Sequence, residues 1–255
     1  MDRQLEDAVL FVHGLQHSFC HIEALAAGAL APHRVIIVDL LGYGTNAEAP
    51  PDKQSVSANA DYLEEVLQLN RCRRVHVVAH SMGGAVAVLF AERHPERVAS
   101  FINVEGNFTL KDAFWSKSLA AMSIEDIRAM VDRDRGDPVG WLRRLEIEVT
   151  PYRLEVADCI QRMQSAETLK RMAQSLIQTT APAMYLDVVR AVLEAGIPMH
   201  LVAGENSRDA WDVPDFVSRT VASITIQPKT GHMMMVEDPS AFLEIINGVL
   251  IGSTA

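Results

Sequence analysis

Short, unbroken apolar runs recur along the first hundred residues. Ala8 to Val12 ends at His13-Gly14, and Val35 to Asp39 leads into Gly42-Tyr43-Gly44. Val75 to Ala79 ends at His80-Ser81-Met82-Gly83-Gly84, and Ala99 to Val104 ends at Glu105-Gly106-Asn107. Continuous rather than alternating hydrophobicity suits strands covered on both faces of a parallel sheet. Between the runs, Ser57 to Gln68 and Gly84 to Arg93 read as helices. Strand–helix alternation predicts an α/β fold with a doubly wound, mostly parallel sheet.

The pattern then changes. No convincing strand lies between about Phe108 and Thr180. Ser123 to Asp134, Pro138 to Val149 and Tyr152 to Gln164 read as amphipathic helices. Ser123 followed by Asp126 has capping-box character, and Pro138 suits a first helical turn. Strand patterning resumes at Ile197 to Ala203 and Ala222 to Gln227, and Ser240 to Leu250 reads as a closing helix. The expected organisation is a core of residues 1–107 and 181–255, interrupted by a helical insertion at 108–180. An insertion at the carboxyl ends of strands sits where open α/β sheets bind ligands, so its simplest use is a cap.

Length and charge narrow the classes. A chain of 255 residues fits one α/β domain with an insertion. The formal charge of −10, with no basic run longer than Arg71-Cys72-Arg73-Arg74, argues against a nucleic-acid partner. No apolar run approaches the ~20 residues that span a bilayer. The acidic start and the short run at Ala8 to Val12 do not resemble a signal peptide, and a cytoplasmic location is expected. Three cysteines, Cys20, Cys72 and Cys159, form no disulfide framework and no metal-ligand spacing, so reduced thiols are expected. No Gly-rich phosphate loop opens a helix, so no nucleotide cofactor is implied. His17 and His21 follow the first strand without metal partners, and no metal is expected. They are placed at the mouth of a pocket.

The chemistry concentrates at strand ends. Ala79-His80-Ser81-Met82-Gly83 follows a strand and precedes a helix, with small residues two before and two after the serine. That spacing is a nucleophile elbow, with alanine where the first glycine is usual. It would expose the Ser81 hydroxyl and aim the Met82 N–H at a developing oxyanion. The second donor of such a site comes from the loop after the first strand, which makes the Leu15 N–H the candidate. Gly231-His232 follows the last strand. A serine hydroxyl needs an adjacent base, and an imidazole can take its proton near neutral pH and return it.

These motifs, with Asp39-Leu40-Leu41-Gly42-Tyr43-Gly44, resemble the α/β-hydrolase superfamily in its capped serine-hydrolase branch. The resemblance spans nearly the whole chain, with the insertion matching only as a cap. Many relatives carry an additional N-terminal hairpin, and its lack here implies a shorter sheet. Most members place an Asp after the penultimate strand in Gly-x-x-Asp. Here that stretch is Gly204-Glu205-Asn206-Ser207, so Ser207 stands in the acid's place. A serine cannot offset an imidazolium charge. Glu105, after the strand that follows the nucleophile helix, is the favoured acid, in a placement similar to zearalenone lactonases and some haloalkane dehalogenases. Asp209 and Asp212 are the alternatives.

The resemblance implies a serine hydrolase without a cofactor. Serine rather than aspartate at the elbow argues against the carboxylate chemistry of related epoxide hydrolases and dehalogenases. Trp115 and Trp141 in the insertion, with Met233, suit a small, mostly apolar ester or lactone. Carbon–carbon bond hydrolysis or amidase activity would use the same triad. A non-catalytic binding receptor of the same fold is the rival class, favoured only by Ser207. Asp39 reads as a turn anchor. Among Met233, Met234 and Met235, one or two would line the pocket and the rest fill the core. Oligomeric state leaves no mark in the sequence.

Overall fold

Among the described residues, six strands build one sheet: β1 (Ala8–Val12), β2 (Val35–Val38), β3 (Val75–His80), β4 (Val98–Val104), β5 (Met199–Gly204) and β6 (Ser223–Gln227). Their order is β2-β1-β3-β4-β5-β6 and every neighbouring pair is parallel. The computed structural model describes residues 7–252. The order runs outward in both directions from β1 and β3, so the ends of these two strands flank the crevice where the winding reverses.

The sequence pattern explains the layers. Along β1, Leu10 and Val12 point into one apolar cluster and Val9 and Phe11 into the other. Both faces are therefore buried, which is why the strands are unbroken apolar runs. Helices α1 (Glu23–Ala29), α2 (Val56–Leu69) and α3 (Met82–Arg93) cover the first half of the sheet. Ser55 caps α2 by accepting from the Ala58 N–H. Phe11 is fully buried, and truncating it to alanine would cost ~3–5 kcal/mol.

Between β4 and β5 the chain is helical. It forms α4 (Phe114–Ala121), α5 (Ile124–Gly136), α6 (Pro138–Arg144), α7 (Pro151–Gln161), α8 (Ala166–Thr180) and α9 (Met184–Glu194). Ser123 caps α5, accepting from the Asp126 N–H, and Pro138 opens α6. The α6 helix ends five residues short of the Val149 expected from the pattern. Glu146 adopts φ +59°, and the Ile147 N–H reaches back to the Leu142 carbonyl, a helix stop ordinarily marked by glycine. The sequence carries no such mark here. Helices α8 and α9 also exceed what periodicity indicated. Past β5, α10 (Asp215–Thr220), α11 (Met234–Glu237) and α12 (Pro239–Gly252) complete the layers. No helix among the described residues is long and apolar enough to cross a membrane.

Candidate active site

Ser81 sits between β3 and α3 at φ 54°, ψ −124°, a strained backbone conformation for a residue with a side chain. The tight turn depends on its neighbours. A Cβ on Gly83 would stand 2.5 Å from the Val12 carbonyl oxygen and 2.6 Å from that of His13. A Cβ on Gly14 would stand 2.8 Å from the Cβ of Ser81. The serine and the loop after β1 thus approach as closely as glycine allows. Asn107 donates its N–H to the Ser81 carbonyl at 3.2 Å, tying the elbow to the end of β4.

That end of β4 carries Glu105, the acid candidate. Glu105 is also left-handed, at φ 43°, and its side chain is almost wholly buried. The Nδ1 of His232 donates to Glu105 Oε2 at 2.6 Å. Glu105 Oε1 accepts from the Gly204 N–H at 2.9 Å and from the Ser207 hydroxyl at 2.6 Å. Burial pushes the Glu105 carboxyl up, but hydrogen bonds from His232, Ser207 and Gly204 outweigh it and leave it below the usual range. Ser207, at the position where an Asp was expected, is therefore a hydrogen-bond donor to Glu105. The alternatives lie elsewhere. Asp212 accepts from the Thr109 hydroxyl and from Lys111, and Asp209 is 97% exposed beside Arg208.

Ser81, Glu105 and His232 line one cavity of about 800 Å³. Leu15 lines it, as do Trp115 and Trp141 from the helical insertion and Met233 from the histidine loop. Met82 opens α3 with its side chain buried, so only its backbone is available to the site. Met234 and Met235 are buried in the core. Asp39 accepts from the Thr45 N–H and hydroxyl, the turn anchor expected of it.

His17 departs from the position expected at the pocket mouth. It is fully buried and does not line the cavity; neither ring nitrogen has a hydrogen-bond partner. It packs edge-on against Phe19, His21 and His80. Burial, with nearby imidazoles, lowers its pKa well below the ordinary value. His21 is also absent from the cavity lining; its Nε2 lies 3.3 Å from the Met235 carbonyl. His80 has a clearer function in the architecture. Its Nε2 donates to the carbonyl of His232 at 2.9 Å, fixing the backbone that carries the imidazole. No group of His, Cys, Asp and Glu among the described residues is arranged to hold a metal ion.

The profile of the alpha/beta hydrolase family matches residues 9–245. The chain belongs to the alpha/beta hydrolase family. An uncharacterized Mycobacterium tuberculosis protein is 33% identical over 105 residues, 41% of this chain and 30% of that relative. The chain thus aligns with under a third of that relative's length. Among solved structures, a thermophilic esterase from Thermogutta terrifontis superposes with a TM-score of 0.70 at 22% identity, covering 98% of this chain and 91% of the esterase. The N-acyl homoserine lactonase AidH superposes at 0.67 with 21% identity, covering 98% and 92%. At these identities the likeness carries the fold.

Sequence reasoning did not find Ser207 as a hydrogen-bond donor, nor Arg133, Asp134 and Arg144 in the cavity wall. Both arginines contact the buried carboxylate of Asp134. Their spacing along α5 and α6 carries no recognisable motif.

Proposed function

We propose that this hydrolase uses Ser81, His232 and Glu105 as a catalytic triad to cleave a small, mostly apolar carboxylic ester or lactone. The observation that carries the reading is the 2.6 Å bond from His232 to the buried Glu105, beside a strained Ser81 in one cavity. A bond from Nδ1 to the acid fixes the tautomer and leaves Nε2 to accept the serine proton. Ser81 Oγ attacks the carbonyl carbon, and His232 takes its proton. The tetrahedral oxyanion is held by the N–H groups of Leu15 and Met82. Collapse expels the alcohol, which takes the proton from His232. Water, activated by His232, then releases the acid from the acyl-enzyme.

The helical insertion acts as a cap. Trp115, Trp141 and Met130 give the acyl group an apolar wall. The test is a panel of p-nitrophenyl esters from acetate to octanoate, small lactones and matched anilides. Esters or lactones should turn over, with at least ~10³-fold loss in Ser81→Ala. Turnover that survives Ser81→Ala would contradict the reading.

A further inference from the structure

Cys20 and Cys159 lie 139 residues apart in sequence, and their sulfur atoms are 2.7 Å apart. That is inside ordinary thiol–thiol contact and one side-chain adjustment from a bond of ~2.05 Å. Cys20 belongs to the loop that leaves β1 and carries Leu15, while Cys159 stands on α7 of the insertion. Both are partly exposed, unlike the buried Cys72. The contact sits within a larger docking. Gln16 donates to Gln161 at 3.1 Å, and Phe19 and Ile22 of the loop share an apolar cluster with Val156, Ala157 and Ile160 of α7. The packing therefore holds the two sulfurs together before any bond forms.

We propose that Cys20 and Cys159 form a reversible disulfide under peroxide, fastening α7 of the insertion to the loop after β1. One thiolate attacks a peroxide oxygen, breaking the O–O bond, becoming a sulfenic acid and releasing hydroxide. The second sulfur then attacks the sulfenic sulfur. Its proton leaves with the displaced hydroxide as water. Two thiols and one hydrogen peroxide give one disulfide and two waters; the sulfurs are oxidised and the peroxide is reduced. Burial, and then the neighbouring Cys20, push the Cys159 thiol up. Both sulfurs are partly exposed, so either can meet peroxide first and the other resolves it. The proposal does not depend on the catalytic reading.

The experiment treats the full chain with hydrogen peroxide and reads intact mass, free thiols under denaturing conditions and a non-reducing peptide map. The expected result is a loss of 2 Da, a fall from three thiols to one, a Cys20–Cys159 linked peptide and reversal by dithiothreitol. In Cys159→Ser the reaction should stop at a sulfenic acid on Cys20, trapped by dimedone. Hydrogen exchange across α7 should slow by at least ~10-fold in the oxidised protein. Three persisting thiols, a link through Cys72, or over-oxidation without the 2 Da loss would overturn the proposal. A bond that leaves α7 exchange unchanged would overturn the fastening.

Discussion

Glu105→Gln keeps the volume of the acid and removes its charge. In the wild type, Oε1 is taken by the Gly204 N–H and the Ser207 hydroxyl, and Oε2 receives the His232 Nδ1 proton. A glutamine would turn its carbonyl to the first pair of donors and its NH₂ to His232. Nδ1 must then accept, which moves the ring proton to Nε2, the nitrogen needed to receive the proton of Ser81. A wrong tautomer in a triad costs ~10⁴ in kcat, or ~5.5 kcal/mol. Charge gives a similar scale. An imidazolium–carboxylate pair at this separation is worth ~6 kcal/mol at an effective dielectric of ~20. The His232 side chain is 46% exposed, so solvent screening reduces that. The expected loss is therefore about 10³–10⁴ in kcat on p-nitrophenyl butyrate, with KM within about threefold and a lowered melting temperature, because the bonds that hold the carboxyl below its usual range favour its charged form. Asp212→Asn and Asp209→Asn should stay within about twofold. A Glu105→Gln loss below tenfold in a folded protein would refute the tautomer argument.

Ser207→Ala removes one of three donors to Glu105; kcat should fall about tenfold, the scale of one hydrogen bond to a charged group, as initial rates would show. His80→Phe keeps the ring packing but frees the His232 carbonyl, so kcat should drop about tenfold with little change in KM; an equal loss in both would mean that His80 does not position His232. His13, His17 and His80 are buried with lowered pKa values, so stability is complete above the unfolded value of ~6.5. Below it the unfolded chain gains protons that the fold refuses, and these three contribute up to ~4 kcal/mol per pH unit to the slope of stability in denaturant melts from pH 8 to 5, beside His21, His76 and His200, which are lowered too. His17→Phe should remove up to ~1.4 kcal/mol per pH unit of that slope, and a flat profile would show that these imidazoles are not held neutral.

Much of this was legible in sequence because strands buried on both faces leave unbroken apolar runs, and because an elbow demands small residues at fixed offsets. Ala79 and Gly83 signalled Ser81, and Gly106 with Asn107 signalled the sharp exit that turns Glu105 toward His232. The end of α6 was not legible, since Glu146 takes the left-handed conformation that glycine usually announces. The burial of His17 was also hidden. A polar ring with no hydrogen-bond partner breaks the rule by which sequence places histidines at wet surfaces. The pairing of Cys20 with Cys159 depends on how α7 docks, which spacing does not encode.

The central claim is that Ser81 is an activated nucleophile. Intact-mass analysis after exposure to a fluorophosphonate tests it most directly, with folded Ser81→Ala as the control. The account predicts one adduct on the wild type, mapped to Ser81, and none on the variant. An unlabelled wild type, or equal labelling of both proteins, would contradict it.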